Sequence, residues 1–239
     1  MTWQPALGAR LLAEGLGTGF LAAAVVGSGI QAEVLSPNDV GLQLLESSTA
    51  TALALVALIL CFGPVSGAHL NPVVTLAERL TGGIDTRSAC GYVAAQLVGG
   101  CAGAVVANVM FELAAVDPSS HDRVSTATLL AEVVATFGLV TVIFGVVRSG
   151  RAAAVPVAVG GYIGAAYWFT SSTSFANPAV TVARSLTDSF AGLALASVPG
   201  FVAAQLGGGL VAVACARVLF PGPDPDSEAS LEEALDARP

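Results

Sequence analysis

His69-Leu70-Asn71-Pro72-Val73-Val74-Thr75 and, 106 residues later, Phe175-Ala176-Asn177-Pro178-Ala179-Val180-Thr181 are two versions of one phrase. Proline suits the first position of a helix and asparagine before it is a strong N-cap, so each phrase reads as the start of a helix. The apolar segments that follow, 71–81 and 177–187, are too short to cross a bilayer core about 30 Å thick. They stand among six longer apolar runs, at about 8–30, 48–64, 87–110, 126–148, 153–170 and 196–219. Lipid offers no hydrogen bonds, so a loop that leads a half-helix into the membrane must be buried in protein or line a water-filled cavity. The two phrases therefore predict a pore.

Composition agrees that lipid is the main solvent. The chain has 239 residues, of which 54% are hydrophobic and 11% charged; a soluble domain carries about a quarter charged residues. Lysine is absent and all nine basic residues are arginine, so a nucleic-acid footprint is missing. The net charge of −8 owes much to residues 224–239, which hold six of the seventeen acids. That Pro-rich, acidic stretch cannot bury enough apolar surface to fold alone, and 221–239 is expected to be a disordered cytoplasmic tail with a short helix at 231–237. Cys61, Cys90, Cys101 and Cys215 fit no metal-ligand or disulfide spacing and read as free, buried thiols. The first apolar run resembles a signal peptide, but Glu14 interrupts it and the rest of the chain is equally apolar, so a retained helix is expected.

Further echoes extend the repeat. Leu12-Ala13-Glu14 returns as Leu130-Ala131-Glu132, and Tyr92-Val93-Ala94-Ala95-Gln96-Leu97 as Phe201-Val202-Ala203-Ala204-Gln205-Leu206. The copies keep their order, which divides the chain into a first repeat (1–110), a connecting loop (111–125) and a second repeat (126–220). Each repeat holds three spans, an odd number, so the second must enter the membrane upside down. Broken helices in inverted repeats place the solute path at the midplane. Arg10, Arg79, Arg87, Arg148, Arg151 and Arg217 flank one side, whereas the loops at 31–47 and 111–125 hold only Arg123, so both termini are expected in the cytoplasm.

Two Asn-Pro phrases, one preceded by Ser66-Gly67-Ala68-His69, set among six spans with the repeat order intact, resemble the aquaporin or major intrinsic protein family over residues 8–219. The resemblance implies an all-α membrane protein with six transmembrane helices and two re-entrant half-helices. It further implies a homotetramer with one pore per protomer, in a bacterial inner membrane, without cofactor, metal or enzymatic activity. Small neutral solutes and the lipid bilayer are the partners. Each half-helix would aim its N-terminus, about +0.5 charge, at the pore centre and so repel cations. The midpoint would be built from Asn71, Asn177, Pro72, Pro178, Val73, Ala179 and His69, whose backbone carbonyl faces the pore. The Asn71 and Asn177 amides would donate to a passing oxygen.

The chain departs from the family pattern where members usually carry an arginine, three residues after the second asparagine. Here that residue is Val180, and Arg184 lies a full turn further on, where a salt-bridge or capping role for its half-helix is expected ahead of a reach into the outer vestibule. Counting from the motif asparagines gives Thr51, Ala165, Ser174 and Val180 as the outer constriction, with Tyr162 or Trp168 as alternatives to Ala165. That set is small and uncharged, and it lacks the repulsion a fixed arginine exerts on cations, about 4 kcal/mol at ~4 Å and an effective dielectric of 20. A wide filter suits polyols, and the pattern resembles a bacterial branch linked to arsenic detoxification, with arsenite or methylated arsenicals as solutes. Val73 replaces the usual alanine, and its extra methyls are expected to repack beneath Asn177 in preference to the alternative of narrowing the midpoint slightly.

Ionisable residues inside spans suggest ion paths by default; a proton-coupled secondary transporter is the competing reading, and within the family a plain water or glycerol channel. The symmetric placement of Glu14 and Glu132 favours a structural role, which the resemblance specifies as accepting hydrogen bonds from the re-entrant loops. Gln96 and Gln205 are expected to bond across helices, and His121 to be solvated. Gly15/Gly19 and Gly99/Gly103 read as close-packing pairs.

Overall fold

The computed structural model describes residues 5–220, and the expected acidic tail lies outside them. Eight α-helices follow in order: α1 (Leu7–Leu35), α2 (Val40–Ser66), α3 (Pro72–Leu80), α4 (Thr86–Met110), α5 (Thr126–Arg148), α6 (Val155–Phe169), α7 (Pro178–Ala183) and α8 (Val198–Leu219). Short 3-10 turns at 152–154, 184–186 and 195–197 lead into or out of α6, α7 and α8. Six of the helical segments are long and apolar enough to cross a membrane; α3 and α7 are the two half-helices. Asn71 and Asn177 cap them: Asn71 Oδ1 accepts from the Val73 amide at 2.9 Å, and Asn177 Oδ1 from the amides of Ala179 (3.0 Å) and Val180 (3.3 Å).

In each half the outer helices approach until their backbones touch. A Cβ on Gly99 would stand 2.0 Å from the Gly15 carbonyl oxygen, and one on Gly103 2.0 Å from that of Gly19. Glycine is therefore the one residue that allows α1 and α4 to meet so closely. Between α5 and α8 the same approach is made by Gly208, whose Cβ would lie 2.4 Å from the Val133 carbonyl oxygen. Contacts between α2 and α6 join the halves, and each half-helix also packs on the other half, α7 against α4 and α3 against α8.

Two expectations change. The segment 31–47 is not a long loop, because α1 continues to Leu35, α2 begins at Val40 and only 36–39 turn. Its polar residues hold that turn: Asp39 caps the Leu42 amide (2.9 Å), Gln43 Nε2 donates to the Ser36 carbonyl (2.8 Å), and Ser36 Oγ donates to Glu46 (2.8 Å). The cysteines are free, as read, but not buried: Cys61 and Cys90 are exposed and Cys101 and Cys215 half-exposed. In a bilayer the outward face of a span is itself an apolar environment, so a small thiol need not turn inward.

Candidate functional site: a cavity between two half-helices

The loops before α3 and α7 are built alike. Ala68 (φ 47°), Leu70 (φ 48°), Ser174 (φ 52°) and Ala176 (φ 46°) all adopt the left-handed conformation, as do Gly67 (φ 87°) and Thr173 (φ 62°). For residues other than glycine such backbone costs of order 1–3 kcal/mol each and persists only where surroundings enforce it. Here a buried carboxylate enforces it. Glu14, from α1, accepts from Ser66 Oγ (2.6 Å), the amides of His69 (2.9 Å) and Leu70 (2.7 Å), and Gln96 Nε2 (2.7 Å). Glu132, from α5, accepts from Ser172 Oγ (2.6 Å), the amides of Phe175 (2.9 Å) and Ala176 (2.9 Å), and Gln205 Nε2 (2.6 Å). Both carboxylates are fully buried. Four charge-assisted donors replace the water each would otherwise keep.

The network continues into the half-helices. Gln96 also donates to Thr75 Oγ1 (3.0 Å) and Gln205 to Thr181 Oγ1 (2.8 Å); these hydroxyls in turn donate to the carbonyls of Asn71 (3.1 Å) and Asn177 (2.8 Å). At the centre the halves cross-link: Asn71 Nδ2 donates to the Ala176 carbonyl (2.7 Å) and Asn177 Nδ2 to the Leu70 carbonyl (2.8 Å). Each amide thus commits its oxygen to a cap and one N–H to the opposite loop. One N–H per asparagine remains for a solute.

Around this centre lies a mainly apolar cavity of about 580 Å³. It reaches from Glu78, Val147 and Ala152 at one end, past Asn71 and Asn177, to Thr51, Tyr167 and Arg184 at the other. Leu21, Leu55, Leu139, Val159 and Ile163 form much of its wall. His69 lines it too, with Nδ1 3.1 Å from Thr75 Oγ1 and its ring edge-on to Tyr92. Tyr92 in turn donates to the Ser66 carbonyl (2.8 Å) and accepts from Arg10 (2.7 Å).

Several sequence-derived positions shift. Asn71, Asn177, His69, Thr51, Ser174 and Val180 line the cavity, but Pro72, Val73, Pro178 and Ala179 do not. The prolines and the residues after them form the first turn of each half-helix, on the side that packs into the bundle. Val73 fills space left by a glycine, its Cγ1 lying 2.2 Å from where a Cβ of Gly209 would stand; it does not narrow the cavity. Ala165 is a second correction. It is exposed on the outer face of α6, as is Trp168, while Tyr162 is half-buried and donates only a long 3.4 Å bond to the Val134 carbonyl. The α6 residues that line the cavity are Val155, Pro156, Val159, Ile163 and Tyr167, a repeat of four that a fixed offset from Asn177 misses. Tyr167 Oη lies 3.0 Å from Thr51 Oγ1. The outer group is therefore Thr51, Tyr167, Ser174 and Val180, bulkier than the four small residues read from the sequence. Arg184 is the C-cap residue of α7, its backbone N–H bonded to the Val180 carbonyl, in line with the capping role read for it; its side chain is buried and lines the cavity. Among the described residues no salt bridge holds it: its Nε donates to the Ala191 carbonyl and its guanidinium carbon sits 3.4 Å from the centre of the Phe175 ring.

Outside the cavity, 111–125 is tied to the segment after α7. Arg123 donates to the carbonyls of Gly192 and Phe190, both at 2.8 Å, and His121 Nε2 lies 3.5 Å from Asp188. The sequence reading left Arg123 as an orientation marker and His121 as merely solvated.

The model of the family described as "Major intrinsic protein" matches residues 3–174. The chain is 49% identical over 211 residues to aquaglyceroporin AqpS of Rhizobium meliloti, covering 88% of this chain and 90% of that one. It is 31% identical over 233 residues to aquaporin Z of Rhodopseudomonas palustris, covering 90% and 94%. Its fold is similar to the X-ray structure of the aquaglyceroporin from Plasmodium falciparum, with a TM-score of 0.72 at 21% identity over 90% of this chain and 98% of that one. With a family model across most of the sequence and a near-full-length relative at 49% identity, the chain belongs to the major intrinsic protein family, whose members are membrane channels and not enzymes.

Proposed function

We propose that the protein is a passive channel for small uncharged solutes larger than water, polyols foremost and neutral oxygenated arsenicals among the candidates. The observation that carries this reading is Val180. It lines the cavity at the position three residues after Asn177 where family members usually hold an arginine. An isopropyl group there removes both the bulk and the directed charge of a guanidinium from the Thr51–Tyr167–Ser174 group. Apolar walls keep solute binding weak, which fast passage needs. The relative that is 49% identical over 211 residues is named an aquaglyceroporin, which favours polyol-sized solutes over a tight water sieve. The proposal includes a homotetramer in a bacterial inner membrane with both termini cytoplasmic, read from the family resemblance and the arginine distribution. The proton-coupled alternative loses its candidates, because Glu14 and Glu132 spend their oxygens on loop and glutamine donors.

The test is stopped-flow light scattering on liposomes holding the full-length channel, with water, glycerol and neutral arsenite as osmolytes. Wild type should pass glycerol, and Val180→Arg should lower the glycerol-to-water ratio by about tenfold or more, the scale of a 1.4 kcal/mol barrier. Wild type that passes water alone would sink the proposal.

A further inference from the structure

The two half-helices carry a second symmetric pair. Seven residues after Asn71 stands Glu78, and seven after Asn177 stands Arg184; these are the acidic and basic side chains in the cavity lining. Two residues before the asparagines, His69 and Phe175 also line it. The charges thus sit one turn beyond the position that Val180 occupies, about 6 Å further along the half-helix axis at 1.5 Å per residue. Arg184 is held so that its cation is kept and aimed. One face rests on the Phe175 ring, and Nε is spent on the Ala191 carbonyl. The terminal nitrogens make no other protein hydrogen bond among the described residues, and the residue borders the cavity. On the same lining, Ser174 Oγ is buried without a hydrogen-bond partner among the described residues. A guanidinium with unspent donors and an orphan hydroxyl at one end of an apolar tunnel call for a ligand that brings oxygen atoms.

We infer that Arg184 is the cation barrier and the oxygen-anchoring group of the outer mouth, acting with Ser174 on neutral solutes that carry two or more oxygens, such as vicinal diols or undissociated oxoacids. Moved one turn outward, the charge still repels an approaching cation. It leaves the Thr51–Tyr167–Val180 level uncharged, so charge exclusion and size exclusion are divided between two levels. This rests on the reading of Val180 given above and adds the residue that supplies the missing charge. Arg184 also anchors the Ala191 segment, and the test must separate the two roles.

The experiment measures cation leak with an entrapped sodium-sensitive dye and, on the same liposomes, glycerol and water flux. Arg184→Gln, assembled as wild type, should raise sodium leak by about tenfold or more, whereas Arg184→Lys, which keeps the charge, should remain tight. An assembled Arg184→Gln channel as tight as wild type overturns the proposal, as does an Arg184→Lys channel that leaks as much as the glutamine variant. Should Arg184→Gln not assemble, Arg184→Lys decides. Its ammonium lacks the fork, so the glycerol-to-water ratio should fall at least about threefold, and an unchanged ratio overturns the assignment. Failure of wild type to pass glycerol would break the size reading of Val180 while the sodium measurement still judges Arg184.

Discussion

The two half-helices share a frame and differ in what the frame holds. Glu14 and Glu132 bind their loops through matching sets of four donors, and the lengths of corresponding bonds agree within about 0.2 Å. Around that frame the residues diverge. The first loop carries His69 and is backed by Tyr92 and Arg10; the second carries Phe175 and is backed edge-on by Phe201. Glu78 faces one end of the cavity and Arg184 the other. The segment from α3 to α4 is short, 81–85, whereas 184–197 is long and strapped down by Arg123. Positions that hold backbone in a costly conformation repeat, and positions that meet solute or solvent are free to differ.

The frame can be broken first, and there the effect should be largest. Glu132→Leu leaves the amides of Phe175 and Ala176, Ser172 Oγ and one Gln205 bond without an acceptor, at about 1–3 kcal/mol for each buried orphan. Together these exceed the 5–15 kcal/mol margin of a typical fold only if they add fully, so the expected outcome is loss of folded channel or a thermal midpoint lowered by well over ten degrees. Glu14→Leu should do the same to the first loop. Size-exclusion profiles and thermal melts in detergent check this. If one variant folds normally while the other fails, the two frames are not energetically equivalent despite their matching bonds. Should both fold and conduct, the carboxylates do not hold the loops.

Much of this was legible in the sequence, for a physical reason. Asn-Pro is a local signal: cap and first turn lie in adjacent residues, so no knowledge of the bundle is needed to read it. The glutamates were legible because a charge inside an apolar run is costly and its recurrence 118 residues later implies a shared duty. Ala165 failed where locality ends. Which α6 residue faces the cavity depends on how α6 is rotated against α2, and that is set by Gly160 and Gly164 on Ala52 and Val56, not by distance from Asn177. The side-chain partners of Arg184 were not legible for a similar reason. Ala191 reaches it only through the return of the chain after α7, Phe175 belongs to the loop before α7, and neither is acidic.

The outer strap is the next difference to test. Arg123 is the main tie between the connecting loop and 190–192, with two 2.8 Å bonds to carbonyls and its own amide bonded to Ser197 Oγ (3.2 Å). Arg123→Ala removes two hydrogen bonds from a charged donor, about 1.5–3 kcal/mol each at most. It should loosen 187–194 while the half-helix frame stays intact. Hydrogen exchange should rise at Gly192 and Leu193, with the amides of Phe175 and Ala176 unchanged. The short segment at 81–85 has no equivalent strap, so exchange there should not move. A rise at Phe175 as well would mean that the strap and the frame are one unit.

The smallest contrast lies at the helix starts that follow each half-helix. Asp85 caps α4, accepting from the Ser88 amide (3.0 Å) and Ser88 Oγ (2.6 Å), whereas α8 begins through a 3-10 turn with Pro199 in its first turn and no side-chain cap. The Ser88 hydroxyl, followed by the Ser88 amide, holds the Asp85 carboxyl below its ordinary value of 3.8. A lowered folded pKa means that the ionised cap stabilises above the ordinary value, and that this contribution fades as pH falls through the depressed one. Asp85→Ala should therefore lower the thermal midpoint slightly at neutral pH, by a few degrees at most for an exposed cap. The gap from wild type should narrow as the medium is acidified below 3.8. A gap that stays constant through that range would show that the cap acts without its charge, through the geometry of the Asp85–Ser88 bonds alone. Removing the start of α8 offers the control: Ser197→Ala loses bonds to Asp122 and Arg123 but no helix cap, so its effect should follow the outer strap and not the helix terminus.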